Sequence, residues 1–287
     1  MLVSIYLATR NRAALLPLAV ESVLAQSHRD LELVVVNDGS TDATEGYLEA
    51  LAARDARVRV LHNETSLDLC VSRNRAIQAS HGEFVTGIDD DDQFTPGRIK
   101  GFLDYWSLLE ENGEQFSLLY SQDIIRRGGR LQRTEKAGSA SFAQMFRRNI
   151  IGNQFFVRRA TLMELGGFDE TLVAWGDVDL YLRVLERYGP GRLFDVATYL
   201  FDDEPRPGRL SGRKLDRIRL GYRAVAKKHS AVSRRMKQEL LLQVFSDFYG
   251  FRPGISDMRE FFGYGFDLRN FMFLCKALLQ KQRHRPH

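Results

Sequence analysis

The fold of this 287-residue chain is most constrained by short apolar runs that stop at polar turns. Residues 3–7, 31–36 and 84–88 each read as a strand, and the second is apolar almost throughout. A strand apolar on both faces must be covered on both sides, which is the mark of a parallel sheet between layers of helix. The intervening segments supply those helices. Leu15, Leu16, Ala19, Val20, Val23 and Leu24 recur at helical spacing, and residues 43–53 follow, with Asp42 and Glu45 spaced as a capping box. A strand at 57–61 and a helix at 71–79 complete the alternation, which predicts a doubly wound α/β domain. Ligands of such sheets bind at the carboxyl ends of the strands, so residues 9–11, 38–40 and 89–92 share one rim.

The strand at 84–88 runs into four consecutive aspartates, Asp89, Asp90, Asp91 and Asp92. Carboxylates at that density repel one another unless a cation sits among them, and their hard oxygens suit Mg2+, Mn2+ or Ca2+. Mg2+ usually takes only one or two protein carboxylates and completes its shell with phosphate and water. A metal here therefore implies a phosphorylated substrate. Taken alone, the run reads equally as a solvated acidic turn before the helix that Pro96 opens.

Several segments in register separate those readings. Ala8-Thr9-Arg10-Asn11, Ser22-Val23-Leu24-Ala25-Gln26-Ser27, Asn37-Asp38-Gly39-Ser40-Thr41-Asp42, Ser72-Arg73-Asn74-Arg75-Ala76-Ile77, Gly82-Glu83-Phe84 and the aspartates resemble the nucleotide-sugar half of family 2 (GT2) glycosyltransferases. Gly166-Gly167-Phe168-Asp169-Glu170 and Trp175-Gly176-Asp177-Val178-Asp179-Leu180 resemble that family's acceptor-side segments. The similarity covers about residues 1–212. It implies a GT-A fold, a Rossmann-like α/β domain with a mixed central sheet, at 1–212, followed by a basic helical C-terminal extension at 213–287.

The same resemblance implies an inverting, metal-dependent glycosyltransferase that uses a nucleotide-sugar donor, a UDP-sugar, and a saccharide or lipid-linked saccharide acceptor. Mn2+ or Mg2+ is the cofactor it implies. Asp91 is then the first metal ligand, with Asp89 contacting the ribose, or the metal through water, and Asp90 beside them in the nucleotide site. Thr9 and Asn11 would bond base or ribose, Asp38 would accept from the uracil N3–H, and Arg73 with Asn74 would hold the rim loop or touch substrate. Asp177 aligns with the family's base, and Asp179 is the alternative. The chain departs from the family at Ala8, Arg10 and Gly176, where proline, an aromatic and an acid are usual. It also lacks the family's histidine after the last strand, where Arg206 or Arg209 would contact the diphosphate instead.

The chemistry matches those residue types. A metal bridging two phosphates neutralises the leaving group, and a carboxylate on the opposite face of the sugar takes the acceptor's proton. One displacement inverts the anomeric centre. Each residue also has an ordinary use: Asp38 in an Asx turn, Asp177 as a helix N-cap, and Trp175 as core instead of a stacking surface for an acceptor sugar.

Composition is that of a globular protein, 44% hydrophobic and 27% charged. Cys70 and Cys275 lack metal-ligand spacing, and Cys70 falls in a helix expected to pack on the sheet, so a buried free thiol is expected there. No signal peptide and no run of about 18 apolar residues are visible, which predicts a cytoplasmic protein, peripheral at most on the inner face of the cytoplasmic membrane. Charge is unevenly placed. From Glu204 onward 19 lysines and arginines face 7 acids, a balance of +12, while the rest of the chain carries −8. In the last segment Leu268, Phe271, Met272, Cys275, Leu278 and Leu279 recur at helical spacing among Arg269, Lys276, Lys281, Arg283 and Arg285. That pattern fits an interfacial helix drawn to anionic lipid, or equally a helix packed on the protein with its charges solvated. Two other classes fit the residues less well. A sugar-phosphate nucleotidyltransferase would show a glycine-rich loop after the first strand, which Thr9-Arg10-Asn11-Arg12 lacks. A non-catalytic nucleic-acid binder would use the basic extension, but the acidic rim repels a phosphate backbone, so no nucleic-acid partner is expected.

Overall fold

The computed structural model describes residues 1–152, 154–204 and 215–279. Arg206 and Arg209 lie outside the described residues. The alternation predicted for the first ninety residues is present in order: β1 (Val3–Thr9), α1 (Leu16–Leu24), β2 (Leu31–Asp38), α2 (Thr44–Arg54), β3 (Val58–Asn63), α3 (Leu69–Ala79) and β4 (Phe84–Gly87). The first three strands run about two residues further toward the rim than their apolar runs predict. Their polar ends stay in the parallel ladder, where Thr9 pairs with Asn37 and Asp38 with Asn63. The strands thus carry the candidate site side chains directly instead of leaving them to a loose turn.

After β4 come β5 (Gln93–Phe94), α4 (Arg98–Glu111), β6 (Leu118–Arg127), β7 (Arg130–Arg133), β8 (Ser139–Ala140), α5 (Phe142–Arg147), β9 (Phe156–Arg158), α6 (Arg159–Glu164), α7 (Gly176–Tyr188) and β10 (Gly191–Asp202). The sheet order is β3-β2-β1-β4-β9-β6-β10-β5, with β7 on β6 and β8 on β10. Strands β3, β2, β1 and β4 are parallel, whereas β9 runs antiparallel to both β4 and β6. The sheet is therefore mixed, as the resemblance implies. Its core is the inner face of β1, β2 and β4 against Leu16, Ala19, Val20 and Val23 of α1 and Ile99, Phe102 and Trp106 of α4. Burying such a set is the main driving force for this layer, at about 1.5–3 kcal/mol for each large side chain before chain entropy is set against it. Cys70 is a buried free thiol on α3.

One local expectation fails. The capping box at Asp42 and Glu45 does not form, because α2 starts one residue later, with Ala43 at its N-cap. Asp42 instead accepts from the backbone N–H of Thr44 (3.0 Å) and of Ala13 (3.2 Å), and so ties two rim loops together.

The chain divides into two compact units. The first is Met1–Ser141, Ile151–Glu170 and Leu180–Glu204, and contains the whole sheet. The second takes in Phe142–Ile150, Thr171–Asp179 and the described part of the chain after Pro205. Its helices are α5, α8 (Leu215–Lys228), α9 (Arg234–Gln243), α10 (Ile255–Gly263) and α11 (Leu268–Leu279). Two earlier stretches thus fold with the C-terminal helices. Gln243 donates from Nε2 to the carbonyls of Met145 and Phe146 (both 2.7 Å), and His229 lies against the rings of Phe142 and Phe146. Arg217 on α8 donates to the carbonyl of Val173 (2.8 Å). Among the described residues no helix is long and apolar enough to cross a membrane.

Candidate functional site

The aspartate run forms a tight turn, closed by the Asp92 N–H donating to the Asp89 carbonyl at 3.1 Å. This turn sorts the four carboxylates. Asp92 is buried and anchored: its Oδ2 accepts from the Tyr199 hydroxyl (2.7 Å) and its Oδ1 from the Asp202 N–H (2.9 Å). Asp90 accepts from the Thr9 hydroxyl (2.8 Å), with Arg12 Nε at 3.6 Å. Asp89 is the more open; its Oδ1 takes Arg73 Nη2 at 2.6 Å and Gln154 Nε2 at 3.2 Å. Asp91 is half-buried on the same turn.

Electrostatics follow from that packing. Burial, reinforced by the charges of Asp91 and Asp89, pushes Asp90 up to about 7 against the Thr9 hydrogen bond and the Arg12 charge. Burial first, then the same two neighbours, also raises Asp92. Asp89 and Asp91 thus add negative potential around two buried carboxylates, an environment that favours a nearby cation. Among the described residues no three His, Cys, Asp or Glu side chains converge as a complete cage. The donor set fits an ion held by one or two carboxylates that takes the rest of its shell from diphosphate and water.

At the neighbouring strand end, Asp38 accepts from Asn63 Nδ2 (2.5 Å) and the Leu67 N–H (2.8 Å) on Oδ1 and from the Ser66 hydroxyl (2.7 Å) on Oδ2, with the Ser72 side chain as a further donor. Burial raises its carboxyl, but the bonds from Leu67, Ser66 and Asn63 outweigh that and hold it below its usual value. Gly39 makes the close approach possible, since it sits at φ +64° and any Cβ there would stand 2.8 Å from the Ser66 nitrogen. Asn11 takes φ 53°, and its Oδ1 accepts from the Thr41 N–H at 2.7 Å. The Thr9 and Asn11 side chains thus spend their visible bonds on holding the rim.

Arg73 and Asn74 act on successive sides of α3. While Arg73 ion-pairs with Asp89 and stacks over Phe168 (5.4 Å), Asn74 clasps the Phe168 backbone through both its N–H and its carbonyl, each at 2.8 Å. Gly167, at φ +73°, leaves room for that clasp; a Cβ would meet Asn74 Oδ1 at 2.3 Å. Sequence reading missed Gln154, Tyr199 and Arg12. Gln154 and Tyr199 follow the aspartates by more than sixty residues and carry no local signal, whereas Arg12 adjoins the rim motif and could have been picked out.

In the second unit, Trp175 precedes α7 with φ 64°, uncommon for so bulky a residue. Only 2% exposed, its indole donates to the Tyr249 hydroxyl (2.9 Å) and its edge meets Tyr222. Its ring is a packing element there. The first turn of α7 then separates the two candidate bases. Asp179 is fully buried and ion-paired with Lys228 Nζ at 2.7 Å, whereas Asp177 is half-buried and no hydrogen bond or ion pair engages its carboxylate among the described residues. Lys228→Met should remove the Lys228 charge from beside a buried carboxylate. The expected loss is about 2–3 kcal/mol, below the 3–5 kcal/mol of a fully buried pair because Lys228 is itself a third exposed. Urea unfolding of wild type, Lys228→Met and Lys228→Arg checks this; equal midpoints for wild type and Lys228→Met would show the pair to be inconsequential.

The model of the family described as Glycosyl transferase family 2 matches residues 4–167. The chain is 34% identical over 204 residues to WcaA of Escherichia coli (strain K12), a glycosyl transferase assigned provisionally to colanic acid biosynthesis; the match covers 69% of this chain and 71% of WcaA. It is 27% identical over 233 residues to the GalNAc(5)-diNAcBac-PP-undecaprenol beta-1,3-glucosyltransferase of Campylobacter jejuni, covering 78% and 72% of the two chains. Among solved structures, S. aureus TarS 1-349 in complex with UDP-GlcNAc superimposes with a TM-score of 0.67 at 20% identity, over 97% of this chain and 80% of that one.

Proposed function

The chain belongs to glycosyl transferase family 2 and is a glycosyltransferase with a GT-A-type fold, and from that premise we propose the donor, the acceptor and the residue roles. The donor is a UDP-sugar, and the acceptor a saccharide or lipid-linked saccharide in bacterial envelope polysaccharide or glycolipid synthesis. The relatives' names support the acceptor class, and the UDP-GlcNAc complex of TarS supports the nucleotide. Such an acceptor would be met at the inner face of the cytoplasmic membrane. The observation that carries the reading is the sorting of the aspartate turn, with Asp90 and Asp92 committed to Thr9 and Tyr199, and Asp89 and Asp91 closing the strand end nearer the surface.

Asp91, seconded by Asp89, would hold Mn2+ or Mg2+; when bound, the ion neutralises the departing diphosphate. Arg73 fixes the Asp89 carboxylate, and Gln154, oriented by the Tyr6 hydroxyl, donates to the same oxygen, Oδ1. Asp38, at the end of β2, would accept from the base. Asp177 takes the proton from the acceptor hydroxyl as that oxygen attacks the anomeric carbon, and a single displacement of this kind inverts the centre.

Thermal denaturation with UDP, GDP, CDP and dTDP, each with and without Mn2+, tests the donor assignment. A ligand at a hundred times its Kd adds about 2.7 kcal/mol to the native state. UDP with Mn2+ should raise the Tm most. A larger shift with another nucleotide would move the donor class, and no shift with any nucleotide would remove the nucleotide-sugar reading.

A further inference from the structure

We propose that the outer face of α10 and α11 is a docking surface for an anionic lipid bilayer. This rests on the reading that the acceptor is met at a membrane, and identifies the part of the protein that would hold it there.

Helix α11 has two apolar faces, and only one is used internally. Asn270, Leu274 and Ala277 are buried, and Asn270 donates to the Arg235 carbonyl and to Gln238 Oε1, both at 3.2 Å on α9. The other face carries Leu268, Met272 and Leu279, which lie within about 40° of one another at 3.6 residues per turn. These are 64%, 60% and 82% exposed. Phe266 (68%) and Phe262 (47%) continue the patch, joined through the ring of Phe271 at 5.5 and 6.2 Å. A contiguous exposed patch of large apolar side chains marks an interaction surface.

Charge selects the occupant. Every acid in α10 and the α10–α11 connection is turned to an internal partner: Asp257 to Arg219 and the Gly254 N–H, Glu260 to the hydroxyls of Tyr222 and Tyr264, and Asp267 to the Asn270 N–H. Arg259 and Arg269, by contrast, are exposed beside the aromatics, and Lys276 follows on the same helix, facing Asp247 at 3.3 Å in open solvent. The sequence after Leu279 adds Lys281, Arg283 and Arg285 and no acid. Aromatic and aliphatic side chains inserted among acyl chains, with cations at headgroup level, are what an anionic interface accepts. A second copy seated on the same patch would bring like charges face to face.

The test is co-sedimentation of the full chain with phosphatidylcholine vesicles and with vesicles containing 30% phosphatidylglycerol, at about 0.05 and 0.5 M salt. Wild type should pellet with the anionic vesicles at low salt, and about tenfold less with neutral ones. The double variant Leu268→Glu/Met272→Glu and, separately, Arg259→Ala/Arg269→Ala should each lose most of that binding while keeping the wild-type Tm and turnover on a soluble acceptor. Equal binding by wild type and both variants, or none by wild type, overturns the proposal. So does a wild-type dimer that the first variant converts to monomer without any vesicle binding. The UDP-dependent Tm shift in the same preparation reads the donor assignment separately, so failure of one leaves the other standing.

Discussion

Asp177→Asn should lower turnover by roughly two to four orders of magnitude, the usual contribution of a general base, and leave the UDP-dependent rise in Tm intact. The expectation comes from the contrast within one helical turn. Asp177 is half-buried with an unengaged carboxylate among the described residues, whereas Asp179 is sealed from solvent and held by Lys228. Asparagine at 177 keeps shape and polarity but cannot take a proton. Asp179→Asn should act differently, lowering stability as a disrupted buried pair does, with turnover per folded molecule close to wild type. The discriminating measurement is kcat on a soluble acceptor alongside the unfolding midpoint for both variants. A large kcat loss in Asp179→Asn with near-normal Asp177→Asn would move the base two residues along, and near-normal turnover in both would remove this segment from the proton transfer.

The second large effect is expected at the aspartate turn. Asp91→Asn should abolish the part of UDP stabilisation that depends on Mn2+, about 2.7 kcal/mol when the nucleotide is at a hundred times its Kd, without altering the Tm of the unliganded protein. The fold should survive because the turn is anchored through Asp92 to Tyr199 and the Asp202 N–H, and through Asp90 to Thr9, not through Asp91 alone. Asp92→Asn is the contrasting variant, since it strikes the anchor and should lower the Tm itself. Equal UDP affinity with EDTA and with Mn2+ in the wild type would sink the metal assignment whatever the variants do.

Much of this was legible in the chain. Apolar runs ending in Thr9, Asp38 and Asp89 place those side chains at the carboxyl ends of parallel strands, because strand period and burial are local properties of sequence. Mixed pairing was not legible from periodicity, and came only through the family resemblance. Strand β9 is three residues long and lies between β4 and β6, a placement set by partners such as Phe84 for Arg158, far apart in the chain.

What the sequence determined by itself was therefore the layer architecture, the rim and the kinds of chemistry available on it. Which carboxylate does what was decided by tertiary structure. Four adjacent aspartates are indistinguishable as letters, but a single tight turn sends two of them into hydrogen bonds with Thr9 and Tyr199 and leaves Asp89 to Arg73 and Gln154. Likewise Asp177 and Asp179 differ only in which side of one helical turn meets Lys228. The amphipathic spacing of α11 predicts one buried face, yet packing against α9 consumes only Asn270, Leu274 and Ala277 and leaves a second apolar face exposed. Burial and pairing depend on partners far away in the chain, and no local pattern encodes which partner arrives.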